Sequence, residues 1–255
     1  MLTGLLVIAI VCLLGVLTHR RERFERRVFK HVPLTEWIVV LIVPVIVYVG
    51  WAVVVNNIID RPRVRIIPFD DFNIIAVTVL FMVYGFVGNS MHFTSKVLWG
   101  YLKDQKKSMA YRVNEMFHGR LSHYLIFLNI LFIIFLLSII EINHPINGGV
   151  TKLYLTVTAF CGIIFGVSAV RTVFYPDEWF GGYNKPLFFI YLGLFLAQYT
   201  LLKAYRLSFY NYPVSMFVAY VFITGIVAFT AQQLGILSRL DAKRRIKYLV
   251  RIISE

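Results

Sequence analysis

Imidazole, carboxylate and amide side chains crowd into two short stretches of an otherwise apolar chain. The first reads Gly88-Asn89-Ser90-Met91-His92-Phe93-Thr94-Ser95-Lys96, and the second Asn114-Glu115-Met116-Phe117-His118-Gly119-Arg120-Leu121-Ser122-His123. Asn89, His92 and Lys96 lie three and four residues apart, which on a helix puts them on one face. Asn114, His118 and Ser122 recur at four-residue intervals, and Asn129 roughly continues the stripe. Neutral imidazole ligates zinc, iron and haem, and a carboxylate supplies an oxygen ligand or a base. His92, His118 and His123 therefore form a candidate metal set, with Glu115 as ligand or general base. A haem b would instead take His92 opposite His118 or His123, with Lys96 and Arg120 near its propionates. A third chemistry needs no metal. Lys96, Arg120 and the histidines, aided by Asn89 and Asn114, would hold the phosphate of a lipid, with Trp99 as an interfacial anchor. The alternative without chemistry is that the amides glue two helices together.

Familiar motifs do not extend these stretches. His118-x4-His123 has the spacing of a desaturase histidine box, but no HxxHH box follows. Glu115-x-x-His118 occurs once, whereas di-iron bundles need two such pairs. There is no HExxH, and the last apolar run, Val214 to Leu237, contains no lysine for a retinal Schiff base.

The elements that must position these residues are written in the hydropathy. Apolar runs of membrane-spanning length extend over Leu2–Leu17, Trp37–Val55, Phe72–Val87, Tyr124–Ile140, Leu153–Val170, Leu187–Leu202 and Val214–Leu237. A hydrocarbon core about 30 Å thick needs about 20 helical residues. The expectation is an all-α polytopic bundle of seven transmembrane helices over residues 1–237, followed by a basic amphipathic tail over 238–255. His92 lies about 30 Å along a helix from Phe72, and His123 about 27 Å from Glu141. Both reach the same boundary of the bilayer. The connection between their helices is short, which favours adjacent antiparallel packing.

Hydrophobic residues make up 59% of the chain and charged ones 15%, with a net charge of +13. A soluble domain carries nearer a quarter charged residues. The basic excess points to membrane headgroups and not to nucleic acid, because of where it falls. With the amino end outside, the loops on one side hold Arg20, Arg21, Arg23, Arg26, Arg27 and Lys30, then Lys96, Lys103, Lys106, Lys107, Arg112 and Arg120. Arg171, Lys185 and the tail cations Arg239, Lys243, Arg244, Arg245, Lys247 and Arg251 join them. The opposite side keeps Arg61, Arg63, Arg65, Lys152, Lys203 and Arg206. The positive-inside rule then sets the amino end outside and the carboxyl end in the cytoplasm, in a plasma (inner) membrane. The first run lacks a preceding positive region and a small-x-small cleavage site, so it reads as a retained anchor. The tail spaces Ile246, Leu249, Val250 and Ile253 helically opposite its cations, the pattern of a helix lying on anionic headgroups.

Three further features bear on function. Pro44 inside the second run frees a carbonyl that a neighbour must satisfy. The loop Tyr175 to Pro186 sets Asp177 and Glu178 beside Trp179, Phe180 and Tyr183. A small-solute or ion transporter would line its pathway with Asn129, Gln198 and Gln232, and a structural subunit of a membrane complex would need none of these sites.

Overall fold

Uncharged runs of Leu, Ile, Val and Phe can satisfy their backbone in hydrocarbon only within helix or a closed barrel, and this chain takes the helical solution almost throughout. The structure is a computed structural model that describes residues 1–18, 28–29, 32–173 and 184–254. Its helices are α1 (Leu2–Thr18), α2 (Leu34–Ile59), α3 (Asp71–Leu102), α4 (Met109–Ile142), α5 (Lys152–Val173), α6 (Asn184–Ala204), α7 (Pro213–Arg239) and α8 (Ala242–Ser254). A two-residue antiparallel pairing of Val28–Phe29 with Val32–Pro33 leads into α2.

Six helices, α2 through α7, are long and apolar enough to cross a membrane. The first apolar run forms α1, a shorter helix of 17 residues that spans roughly 25 Å. It is built into the bundle, packing between α2 and α5 with Leu5, Ile8 and Ala9 buried. A side chain at Gly4 would put its Cβ 2.7 Å from the Gly50 carbonyl of α2, so the two backbones touch there.

α7 is the central rod. It packs on α5, α6 and α4, and its Phe217, Phe222 and Phe229 are almost wholly buried. The α5–α7 contact is close because Gly162 and Gly166 present backbone to α7. A Cβ at either would come within 2.6 Å of a Phe217 or Val221 carbonyl. This small-xxx-small spacing is a recurrent way for membrane helices to approach. Leu41, Val45 and Val49 of α2, with Leu80 and Val83 of α3, point outward and stay exposed, as a lipid-facing surface requires.

α3 has 32 residues, roughly 48 Å, and outlasts a hydrocarbon core of about 30 Å. Its apolar start and its polar Asn89-to-Lys96 section are therefore one continuous rod. α3 and α4 pack antiparallel along most of their length, as their short connection implies. Gly88 allows the crossing: its Cβ would fall 2.7 Å from the Leu125 Cβ.

At the Glu141 end of α4, polar groups are closely matched. The buried Glu141 carboxylate accepts from Val214 N (3.0 Å), Ser215 N (2.7 Å), Ser215 Oγ (3.0 Å) and Arg61 Nη1 (3.2 Å). It thereby caps the amino end of α7, where orphan N–H groups and the helix dipole favour an anion. The Asn143 side chain accepts from Ile66 N and Ile67 N and donates to Ile67 O and Phe69 O, folding the α2–α3 loop over the bundle. Arg63 pairs with Asp70 (3.3 Å) and Asp71 (3.4 Å), the local pairing that the alternating signs of this loop imply. His144, which reads from sequence as a solvated loop residue, is 2% exposed and bridges Arg61 O (3.1 Å) and Asp71 Oδ2 (3.0 Å).

Arg20 to Lys30 and the Tyr175 to Tyr183 loop, with Asp177 and Glu178, lie outside the described residues, apart from Val28 and Phe29. In α8, Lys243, Arg244, Arg245, Lys247, Ile246 and Val250 are exposed. The Leu249, Arg251 and Ile253 side chains lie outside the description.

Candidate functional site

The three histidines of the two polar stretches meet. The His92 ring centroid lies 4.6 Å from that of His118 and 4.9 Å from that of His123, while His118 and His123 are 6.0 Å apart. An ideal α-helix would set residues 118 and 123 roughly 140° apart around its axis, since each residue turns about 100°. Instead α4 winds as a π-helix over Met116–Leu121, where i→i+5 bonding brings residues five apart onto one side. Ser122 Oγ donates to the His118 carbonyl (2.6 Å) at the end of this wider turn.

A second π-helical turn, Ile38–Ile42, borders the same cluster from α2. Its cause is visible in the sequence. Pro44 has no N–H for the Val40 carbonyl four residues before it. The Asn89 side-chain amide donates to that carbonyl from α3. Asn89 thus repairs the broken helix of its neighbour while facing the site.

Among the described residues Glu36, at the start of α2, is the carboxylate paired with the histidine cluster. Its Oε1 lies 3.3 Å from Lys96 Nζ and its Oε2 3.8 Å from His92 Nε2. The Glu36 side chain is 10% exposed, that of His92 12% and that of Lys96 29%. His92 Nδ1 is buried without a hydrogen-bond partner among the described residues. Beside Glu36, Trp37 packs edge-on against Phe93 with centroids 4.4 Å apart.

These groups form the polar end of a chamber of about 560 Å³, within the range of small-ligand sites. Glu36, Asn89, His92, Lys96, His118 and His123 all contribute to its wall. The rest of the wall is mainly apolar and comes from α1, α2, α3, α4, α5 and α6, including Val43, Val47, Phe86, Ile130 and Phe165. Sequence reasoning missed Glu36. The available signal was a lone carboxylate at the edge of the second apolar run, on the same side of the membrane as Lys96.

The other expected site residues are not all gathered here. Glu115 is half-buried and is not among the residues lining the chamber. The π turn starts just after it, so the angular offset assumed for the Glu115–His118 pair does not apply. Asn114 is buried and donates to the Ser95 carbonyl (3.0 Å), tying α4 to α3. Its own Oδ1 has no partner among the described residues. The Arg120 side chain lies outside the described residues.

The metal set does not find support. Imidazole lone pairs lie in the ring plane, and the His92 ring overlaps its two neighbours at interplanar angles of 34° and 24°. Rings overlapping in this way, near-stacked for His92–His123 and tilted for His92–His118, do not aim their nitrogens at one point. Among the described residues no group of three or more His, Cys, Asp or Glu is disposed to hold a metal ion. The His92 and His118 centroids stand 4.6 Å apart at 34°, so a haem between them would require the rings to move. The transporter residues do not line the chamber either. Asn129 donates to the Leu125 carbonyl of its own helix, and Gln198 to the Ser215 carbonyl of α7 (2.8 Å). Comparison with protein-family models, curated proteins and solved structures gives no match.

Proposed function

We propose that this multi-pass membrane protein binds a single-chain amphiphile drawn from the bilayer, with its chain in the apolar chamber and its head at the His92–Lys96–Glu36 end. The observation that carries this reading is the wall itself: an apolar lining that ends in six ionisable or amide side chains. Apolar walls supply affinity and a few convergent polar groups supply orientation, the usual division of labour in ligand sites. Two π-helical turns at one end add support, since such turns gather at functional sites. The phosphate-lipid chemistry expected from sequence survives here in altered form, with Lys96, His92 and Glu36 in place of an Arg120-centred site. His118, His123 and Asn89 complete the wall around the head.

The test is native mass spectrometry of the full-length protein released from its own membranes. A single-chain amphiphile retained at about one per protein, and lost on His92→Leu or Phe165→Trp substitution, is the expected result. Retention of none, or equal retention by both variants, removes the reading. Elemental analysis of the same sample addresses metal and haem: stoichiometric zinc or iron, or a Soret band, would restore them.

The reading includes a topology. α1 serves as a seventh span with its amino end outside, and α8 rests on the anionic cytoplasmic surface of a plasma membrane. α8 follows α7 after only Leu240 and Asp241, and its exposed Lys243, Arg244, Arg245 and Lys247 are each worth about 1 kcal/mol near such a surface. Labelling cysteines placed at residues 3 and 255 in intact cells and in inverted vesicles tests it. Labelling of both termini from the same side would refute it.

A further inference from the structure

Lys96 and His92 lie one turn apart on α3 and converge on the two oxygens of a single carboxylate, that of Glu36. Glu36 belongs to a different helix and enters the chamber wall from its edge. A site that already holds a carboxylate inside a mostly apolar wall has the donors that recognise one. We infer that Glu36 is an internal stand-in for an acidic head group, and that the chamber takes long-chain acids whose head displaces Glu36 from Lys96 and His92. This rests on the chamber reading above and names the ligand class for it.

The geometry makes such an exchange feasible. The Lys96–Glu36 contact of 3.3 Å leaves Lys96 partly open, and the 3.8 Å separation from His92 is too long for a hydrogen bond. An incoming acid can therefore improve on both contacts. Glu36 also sits just before the π-helical turn at Ile38–Ile42, where the backbone bonding departs from the regular α pattern. Any fatty carboxylate, sulfonate or single-chain phosphate shares the recognised feature, an anionic oxygen cluster on one apolar chain.

The experiment compares hexadecylsulfonate, a permanent anion, with hexadecanol, which carries the same chain. Each is titrated into the full-length protein in nanodiscs and counted by native mass spectrometry. The expected result is tighter binding of the sulfonate by about tenfold, the equivalent of one charge-assisted contact. Glu36→Gln should tighten the sulfonate about tenfold further and leave the alcohol unchanged, whereas Lys96→Gln should weaken the sulfonate by a similar factor. A sulfonate affinity that is unmoved or reduced in Glu36→Gln overturns the stand-in role. A readout on the unmodified Glu36 guards against a misfolded variant. The Trp37 emission, obtained by difference from Trp37→Phe, should shift with the sulfonate and not with the alcohol. A bound sulfonate that leaves Trp37 unchanged also overturns the inference. If both probes bind equally, the acid preference fails while the chamber reading stands. If neither binds, the chamber reading itself fails.

Discussion

α4 carries a polar cluster at each end, and the two are satisfied to different degrees. At Glu141 a wholly buried carboxylate collects four hydrogen bonds from the α2–α3 loop and α7, and Asn143 and His144 use both of their polar side-chain atoms. At His92 the rings overlap, one imidazole nitrogen has no partner among the described residues, and the Glu36 carboxylate stands 3.8 Å away. Leaving a buried polar atom unmatched costs about 1–3 kcal/mol. Among the described residues the Glu141 end leaves Asp71 Oδ1 without a partner, while the His92 end holds a partnerless imidazole nitrogen beside a loose ion pair, contacts that on the proposed reading a ligand would complete. On the proposed reading the Glu141 end is a fastener and the His92 end a site.

The largest effect that would sharpen this contrast is expected at Glu141. Glu141→Ala removes the cap of α7 and strands Arg61, which should cost about 3–5 kcal/mol and show as a large fall in the melting temperature in detergent. Asn143→Ala leaves Ile66 and Ile67 amides unmatched and should cost about 2 kcal/mol in the same assay. Asn89→Ala orphans the Val40 carbonyl beside Pro44 and should cost about 1 kcal/mol, with local exchange of the α2 amides accelerating near residue 40. His92→Leu should change stability least, by under about 1 kcal/mol, because it deletes an unmatched nitrogen. A melting loss for His92→Leu equal to that of Glu141→Ala would erase the distinction and make both ends fasteners.

Much of the fold is legible in the residues. The apolar runs predict the long helices to within a few residues, except that α3 extends through its polar section to Leu102 and α4 begins at Met109, well before Tyr124, as helix spacing in both polar stretches already allows. Asn89, His92 and Lys96 share a face as their spacing implies, and the short α3–α4 connection gives the antiparallel pairing. The carbonyl that Pro44 frees was foreseeable, but its partner was not, because Asn89 lies 49 residues from Val40 along the chain. Gly162-x-x-x-Gly166 was a readable signal for close packing. Glu141, at the close of an apolar run, gave no hint that it would cap α7.

Composition and hydropathy alone determined that this chain forms helices long and apolar enough to cross a membrane, since hydrocarbon would offer unpaired backbone no other partner. Spacing alone put imidazoles and amides at one level of the bundle. Only tertiary packing decided which of those groups meet. The π turn in α4 swings His118 and His123 to one side, the stacked rings withhold a common metal point, and Glu36 arrives from a separate helix to face Lys96. Those outcomes depend on rotation about helix axes, and rotation is set by where neighbouring helices press, not by any one helix's own sequence.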